Sequence, residues 1–337
     1  MAPPGAATTS SAPERVIGVD VGGTKVSIAA LENGVLGEAV LTPTNTDSTE
    51  VLVDQVAAEI RRVAERDGAT MVAAVAAVGI GIPSVIEFAT GRVRSSVNIP
   101  LHDIALRQVM SERLGIPVYV DNDAACAALA EAHDEQGRLD ARHLVMITVG
   151  TGVGGGVVID GRLYRGATGA AAELGHTIIG LDLTKGARAS EHFPQPGSLE
   201  ALAAGRALDA IAADSADRNP DSSLGRSRAD GQPVAGPATV AAARDGDPDA
   251  VAALALLGAR LGVGIANVIN TFDPDVVAVG GGVSGAGELL MGPARETAAR
   301  FVLPGVGTRT EIRLARSGAD AGVRGAALLA RQELDVA

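Results

Sequence analysis

Two stretches of the chain share one pattern of apolar and polar positions. Residues 16–34 read VIGVDVGGTKVSIAALENG, and residues 144–161 read LVMITVGTGVGGGVVIDG. Each contains an apolar run of strand length, a glycine-rich turn, a second apolar run and an Asn-Gly or Asp-Gly pair, which is a strong hairpin signal. Because the unit recurs about 130 residues later, the sequence predicts two related halves.

Helices and further strands are predicted around these two units. Apolar runs predict strands at 78–83, 117–120 and 276–279. Helical spacing predicts helices at 106–114, 124–133, about 249–272 and from about 287, and one more that contains Leu52, Val56, Ile60 and Val63. Asp47 and Glu50 resemble a capping box at the start of that last helix. This alternation favours an α/β fold with parallel strands in each half.

Two segments are predicted to lack regular structure. Residues 215–237 are rich in Ser, Asp, Gly and Pro, which indicates a mobile surface loop. Residues 1–14 lack both an early basic cluster and an apolar core, so they are interpreted as a disordered tail and not as a signal peptide. Residues 68–86 carry no charge, but their Gly, Pro and Ser residues favour a helix end, a buried strand and a turn over a membrane span.

Composition limits the possible classes of partner. A length of 337 residues favours two domains, and 47% hydrophobic residues are enough for buried cores. A net charge of −12, with 2% aromatic residues and no Trp, argues against a nucleic-acid partner, because the phosphate backbone would be repelled and bases would lack stacking platforms. Cys126 is the only cysteine, so no intrachain disulfide forms, as expected in the cytoplasm.

The first glycine-rich turn has residue types that suit phosphate binding. Asp20 is followed by Val-Gly-Gly-Thr-Lys, in which Gly22 and Gly23 let backbone N–H groups approach phosphate oxygens, and Thr24 and Lys25 add donors. Asp20 could hold Mg²⁺ directly or through water. The spacing is not that of a Walker P-loop. An ordinary hairpin with a surface lysine stays open as the alternative.

Two more glycine-rich turns follow apolar strands. One contains Gly150, Thr151 and Gly152, and the other contains Gly281 and Gly282. Each turn is weak evidence by itself. Together, three such turns fit a nucleotide that lies across a cleft between the two halves.

An acidic triplet, Asp121-Asn122-Asp123, follows a predicted strand and precedes an Ala-rich helix. Such residues serve as helix caps in many proteins. The functional alternative is that one carboxylate accepts the proton of an attacking hydroxyl, which contributes about 10²–10⁴-fold to a rate.

The chain resembles the ROK sugar kinases, the repressor/open-reading-frame/kinase group that includes bacterial glucokinases. The resemblance extends from residue 16 to about 331 and rests on ordered motifs: VDVGGTK, GIGIP, VNIP, VDND, GTGVGGG, GATGAAAELGH, SLEALAAGRAL and DPDVVAVGGGVS. It implies a two-domain actin-like ATPase fold, of the ribonuclease H-like type, with ATP and sugar in an interdomain cleft. We expect an N-terminal α/β domain at 15–122 and a larger C-terminal α/β domain at 123–337, whose final helix packs back on the first.

The resemblance also assigns roles to individual residues. It makes Asp123 the base that activates the sugar hydroxyl. It places hydroxyl-binding residues, besides Asp123, at Asn98, Asn122, Glu173, His176 and Glu200. The three glycine turns would bind ATP. Amides and carboxylates suit vicinal hydroxyls, because a missing hydroxyl leaves them unpaired. A helix-cap role for Glu173 and a solvated surface role for Glu200 remain open.

The sequence also departs from the family pattern. The usual zinc-binding cluster CxCGxxGCxE is missing, since residues 177–200 contain no cysteine, so we expect no zinc site. Ser84, Ala172 and Ala125 stand where the family has Gly, Gly and Asn. Because all three lie near expected sugar contacts, an amino sugar such as kanosamine or a C7-cyclitol is an alternative to glucose.

The resulting prediction is a cytoplasmic, ATP- and Mg²⁺-dependent kinase that phosphorylates the primary hydroxyl of a hexose or hexose-like substrate. We expect a homo-oligomer, a dimer or tetramer, that binds neither nucleic acid nor membrane. A sugar-responsive repressor is a remote alternative, because the roughly 15 residues before the first strand are too few for a winged-helix domain. A non-catalytic sugar-binding protein is disfavoured by Asp123 and the three glycine turns.

Overall fold

The computed structural model describes residues 15–65, 75–96, 98–184 and 186–335. The tail predicted at 1–14 lies outside these residues, as does most of the helix end expected before residue 77. The chain forms two units. The first contains the chain up to Cys126, with Asp134–Arg138 and Asp320 to the C-terminus, and the second contains Ala127–His133 and Leu139–Ala319. Both units combine sheets with helices, which confirms the predicted α/β fold class.

The first unit is built on a mixed sheet. Its strands are β1 (Arg15–Val21), β2 (Lys25–Glu32), β3 (Val35–Leu36), β4 (Val40–Pro43), β5 (Ala77–Ile82) and β9 (Val118–Asn122). They follow the order β3-β2-β1-β5-β9, with β4 paired to β2. A smaller antiparallel sheet contains β6 (Ser84–Glu87), β7 (Arg92–Ser96) and β8 (His102–Ile104). The strands β1, β5 and β9 are parallel, so their carboxyl ends meet at one edge of the sheet.

Helices cover this sheet with aliphatic residues. They are α1 (Thr49–Ala64), α2 (Leu106–Leu114) and the C-terminal helix α10 (Ala321–Leu334). A further helix, α3 (Asp123–Glu131), begins directly after β9. The predicted capping box is wrong in detail, because Ser48 caps α1 and accepts a hydrogen bond from the N–H of Val51. The first unit includes α10 although this helix is at the C-terminal end of the chain, so the unit is not one continuous segment of the sequence.

The second unit has its own five-stranded sheet in the order β12-β11-β10-β13-β14. These strands are β10 (Leu144–Val149), β11 (Val153–Ile159), β12 (Arg162–Leu163), β13 (Val276–Gly280) and β14 (Glu311–Leu314). Its helices are α4 (Leu199–Ala203), α5 (Gly205–Arg218), α6 (Ser223–Ala229), α7 (Gly236–Arg244), α8 (Pro248–Phe272) and α9 (Glu288–Phe301).

The two sheets repeat one arrangement. In the first, β1 pairs antiparallel with β2 and parallel with β5, and in the second, β10 pairs antiparallel with β11 and parallel with β13. Each hairpin encloses one of the glycine turns recognised in the sequence. The predicted recurrence is therefore present in the strand topology.

The prediction of a loop at 215–237 is wrong. This segment contains the end of α5, all of α6 and the start of α7. Ser222 accepts a hydrogen bond from the N–H of Gly225 at 2.9 Å, and Leu224 is only 2% exposed. Ser and Asp favour helix caps as well as loops, so composition did not distinguish the two.

One helix among the described residues, α8, is long and apolar enough to cross a membrane by length and composition. Its residues Leu254, Leu257 and Leu261 are fully buried in the core of the second unit. The apolar character of α8 is therefore explained by its central place in that core, as in the core helix of a soluble domain.

Candidate active site

Two carboxylates lie near each other at the edge of the first sheet. Asp20 is near the end of β1 and pairs in register with Gly81 of β5, which in turn pairs with Asp121 of β9. Asp123 is the first residue of α3, directly after β9. Asp20 and Asp123, which the sequence assigned to separate roles, therefore lie close enough for their charges to interact.

The surroundings make both carboxylates harder to ionise. Burial first, and the charge of Asp123 second, raise the pKa of Asp20 from 3.8 to about 6, while the charge of Lys25 acts in the opposite direction. Burial also raises the pKa of Asp123, although its Oδ1 accepts a hydrogen bond from the N–H of Ala124 at 2.8 Å. Pairs of perturbed carboxylates are common at functional sites.

The first glycine turn lies next to these acids in the chain. Gly22 donates its N–H to the carbonyl of Lys25 at 2.9 Å, and its own carbonyl accepts from the hydroxyl of Thr44 at 2.6 Å. Thr24 and Lys25 are exposed. A Cβ at Gly23 would lie 2.9 Å from the Cβ of Asn98, so this turn directly contacts a residue predicted to bind sugar.

Asn122 is engaged with its own chain. Its Oδ1 accepts hydrogen bonds from the N–H groups of Ala124 and Ala125 at 2.9 and 3.2 Å, and its Nδ2 donates to the carbonyl of Ser84 at 3.3 Å. The cap role that the sequence left open is thus present. A sugar contact by Asn122 stays a prediction, and a sugar hydroxyl would have to share the Oδ1 or Nδ2 atom with these hydrogen bonds.

The serine noted as a departure from the family is buried. The hydroxyls of Ser84 and Ser96 are hydrogen-bonded to each other across the β6–β7 pair, and each residue is 7% exposed. Ser96 is a neighbour that sequence reasoning missed. Strand alternation could not have indicated this, because counting from the buried Val93 it predicts Ser95 and not Ser96 as the inward-facing residue.

The second unit has its own group of predicted site residues. Gly150 donates its N–H to the carbonyl of Gly152 at 2.9 Å and accepts from the N–H of Gly205 at 2.7 Å, which closes the second glycine turn. Glu200, near the start of α4, accepts from the N–H of Val153 at 2.8 Å through its Oε2. The half-buried Glu200 therefore holds the backbone at the end of this turn in place, and it is not a solvated surface residue.

Glu173 directly precedes a single 3₁₀ turn, Leu174–His176, of which His176 is the last residue. Nε2 of His176 lies 3.9 Å from Oε2 of Glu173, and both side chains are exposed. The ring of Phe193 meets the His176 ring edge-to-face, with centroids 5.3 Å apart. Phe193 is a neighbour of His176 that the sequence analysis did not single out.

The third glycine turn ends β13. Gly281 has a φ of +87°, and a Cβ there would collide with the backbone of Val149, so a structural requirement selects glycine at this position. Gly282 has open space around the position of a Cβ. Of this pair, only Gly282 has room for an added side chain.

No group of three or more His, Cys, Asp or Glu side chains among the described residues is arranged to hold a metal ion. His176 has an aromatic neighbour, Phe193, where the family pattern would place cysteines. Absence of zinc remains a prediction that metal analysis has to test.

Comparisons with known proteins agree on one family. The model of the ROK family matches residues 16–333. A glucokinase from Streptomyces coelicolor is 34% identical over 323 residues, which cover 94% of this chain and 97% of that protein. The crystal structure of a ROK hexokinase from Thermus thermophilus is 33% identical, has a TM-score of 0.74, and is matched over 96% of this chain and 100% of its own.

A structure with ligands is also similar. The ROK family glucokinase from Streptomyces griseus, solved in complex with glucose and AMPPNP, is 33% identical with a TM-score of 0.73. The match covers 94% of this chain and 99% of that one.

Proposed function

The chain belongs to the ROK family, and from that premise we propose that it is an ATP-dependent kinase of a hexose or hexose-like sugar. The observation that carries the proposal is the pair Asp20 and Asp123, near the carboxyl ends of β1 and β9 on either side of β5, beside a glycine turn that contacts Asn98. The relatives that are named glucokinase and hexokinase, matched over nearly their whole length, support this activity.

Asp123 is the proposed base. The hydroxyl oxygen of the sugar forms a bond to the γ-phosphorus of ATP while the bond from that phosphorus to the bridging oxygen breaks, and ADP leaves. The hydroxyl proton passes to a carboxylate oxygen of Asp123. Because burial raises the pKa of Asp123, this carboxylate is a better proton acceptor than an exposed aspartate.

Asp20 and the glycine turns are proposed to serve the nucleotide. Backbone N–H groups near Gly22, Gly23, Gly150 and Gly282 are suited to phosphate oxygens. Asp20 fits Mg²⁺, because it offers hard oxygen donors and its partly buried carboxylate beside Asp123 would gain from a nearby cation. Bound Mg²⁺ would supply charge neutralisation for the transferring phosphoryl group.

Asn98, Asn122, Glu173, His176 and Glu200 are the proposed sugar contacts. The narrower parts of the proposal are a primary hydroxyl as acceptor, a cytoplasmic location and a homo-oligomer. An amino sugar or a C7-cyclitol is the second candidate substrate, favoured by the buried Ser84–Ser96 pair next to Asn122.

A coupled assay for ADP release, run with a panel of hexoses, amino sugars and cyclitols, tests the activity. The proposal expects turnover that needs ATP, Mg²⁺ and one of these sugars. Failure of every sugar to stimulate ADP release would refute it. Metal analysis of the active preparation tests the expected lack of zinc.

A further inference from the structure

The first turn of the C-terminal helix α10 contacts Asp20. A Cβ built on Gly322 would collide with Oδ2 of Asp20, and it would lie 2.5 Å from Cγ and 3.0 Å from Oδ1 of the same side chain. Carbon atoms that are not bonded prefer separations of about 3.5–4.0 Å. Any side chain at position 322 would therefore displace the Asp20 carboxylate or the helix.

The helix α10 lies in close contact with the sheet, and moving it away would break that packing. A Cβ at Gly18 of β1 would collide with the carbonyl of Val323 and lie 2.7 Å from the nitrogen of Ala327. A Cβ at Gly79 of β5 would likewise meet the backbone of Ala326. Because α10 packs backbone to backbone on both strands, a methyl group at Gly322 would act mainly on the side chain of Asp20.

The position of Asp20 is also restricted on its other sides. It is partly buried, it lies close enough to Asp123 for their charges to interact, and it belongs to a strand that is paired on both edges. The N-terminal turn of a helix carries partial positive charge, which favours a neighbouring carboxylate. The N-terminal end of α10 therefore limits where the Asp20 carboxylate can lie, by steric contact and by its partial positive charge.

We propose that Gly322 is a positioning residue, which by its lack of a side chain fixes the Asp20 carboxylate at the edge of the sheet beside Asp123. The proposal deepens the proposed function, since it gives Gly322 a role in phosphoryl transfer through Asp20. It concerns residues of the first unit only. Its steric part can be tested without any substrate.

A double-mutant cycle in thermal unfolding tests the contact. Gly322→Ala should lower Tm in the wild-type background by several degrees, because a methyl group is forced against Asp20. In the Asp20→Ala background, which lacks Cγ and both oxygens, the same change should cost little or nothing. Gly292→Ala, in α9 with open space at its Cβ, is the control and should shift Tm equally in both backgrounds.

Each outcome of the cycle decides the steric claim. If Gly322→Ala is insoluble while the double variant folds, the contact with Asp20 is supported. An equal loss of Tm in both backgrounds, or failure of both to fold, would show that Gly322 serves helix packing only, and would overturn the proposal.

Steady-state kinetics test the proposed role of Gly322 in phosphoryl transfer. Gly322→Ala should lower kcat by an order of magnitude or more and raise the Mg²⁺ concentration for half-maximal activity, with the KM for sugar unchanged. Gly292→Ala, which adds the same methyl group in open space, is the control and should change neither kcat nor the Mg²⁺ dependence. Equal Mg²⁺ dependence in the wild type and Gly322→Ala would refute positioning. An inactive wild type would instead refute the kinase function and leave the cycle intact as the test of contact.

Discussion

Glu200 occupies the space that a side chain on Gly152 would need. Its Oε2 lies 2.5 Å from the position of a Cβ on Gly152, and the same oxygen accepts a hydrogen bond from the N–H of Val153. The sequence predicts a nucleotide contact for Gly152 and a sugar contact for Glu200. Because the two residues touch, a substitution at Gly152 cannot report on the nucleotide alone.

Alanine substitutions in the glycine turns should therefore separate into two classes. Gly150→Ala and Gly282→Ala, whose Cβ atoms meet open space, should raise the KM for ATP and leave the KM for sugar unchanged. Gly152→Ala should raise both, because it displaces Glu200. Steady-state kinetics with each substrate varied in turn measure the difference.

Gly292→Ala is the control for these variants, because it adds the same methyl group in open space outside the turns. Gly281 is unsuitable, since its positive φ and the nearby backbone of Val149 predict misfolding. Unchanged KM for ATP in both Gly150→Ala and Gly282→Ala would contradict the assignment of these turns to the nucleotide.

The assignment of Asp123 as base predicts a loss of chemistry without a loss of binding. Asp123→Asn should reduce kcat at least about a hundredfold, because an amide cannot accept the hydroxyl proton. Calorimetric binding of the sugar should be nearly unchanged. Asp103→Asn, at an exposed position of the same unit, should keep full activity. Retention of more than about a tenth of the wild-type kcat by Asp123→Asn would exclude the base role.

The sequence predicted the strands, most helices and the glycine turns, because these depend on local apolar periodicity and on turn residues. It assigned Asp20 and Asp123 to separate roles, and their closeness follows from the placement of β1, β5 and β9 in one sheet. It did not predict the contact of Gly322 with Asp20, which joins residues about 300 positions apart through the packing of a terminal helix. Nor could it show that Glu200 and Asn122 hold the backbone, because hydrogen-bond partners depend on tertiary geometry.

Ala172 should be a site where glycine stabilises the protein. Its φ of +70° is in the left-handed region, which costs an ordinary residue about 1–2 kcal/mol. Glycine removes that cost but loses more entropy on folding, so Ala172→Gly should raise the free energy of unfolding by up to about 1 kcal/mol. Denaturant unfolding measures it, with Ala171→Gly expected to destabilise. A loss of stability in Ala172→Gly would contradict the strained geometry.

The carboxylate of Asp20 should make stability depend on pH. Its pKa is about 6 in the folded protein and 3.8 as the reference for the unfolded chain. As pH rises from about 4 through 6, the unfolded chain loses this proton first, so the folded state becomes less stable by roughly 3 kcal/mol, and the effect levels off above 6. The raised pKa of Asp123 acts in the same direction.

Asp20→Asn removes this titration, so the Tm of the variant relative to the wild type should rise steadily between about pH 4 and pH 7. The comparison must be made without nucleotide or Mg²⁺, since bound cations would favour the ionised form. The difference between the two proteins is the useful quantity, because other groups, such as Glu131 with its lowered pKa, titrate in both. Parallel curves for the two proteins would contradict the burial of a titrating Asp20.

Substrate choice should depend on hydrogen bonds to ring hydroxyls. The proposed contacts are amides, carboxylates and one imidazole, so a deoxy sugar that lacks a contacted hydroxyl leaves a polar group unpaired. Such an analogue should lose far more kcat/KM than removal of a methylene group would cause. A small, uniform loss across all deoxy analogues would instead indicate an apolar platform, for which Phe193 beside His176 would be the candidate.

The Ser84–Ser96 pair lies next to a proposed sugar contact and should influence which sugar is the best substrate. The two hydroxyls satisfy each other, while the Ser84 carbonyl accepts from Asn122, so Ser84 adds bulk near a proposed sugar contact without offering a free donor. We therefore predict that kanosamine, glucosamine or a C7-cyclitol exceeds glucose in kcat/KM. The double variant Ser84→Gly with Ser96→Ala removes that bulk and leaves no unpaired hydroxyl, and it should shift the ranking toward glucose. A wild-type enzyme that prefers glucose tenfold, with a ranking unchanged in the double variant, would exclude Ser84 as a determinant of specificity.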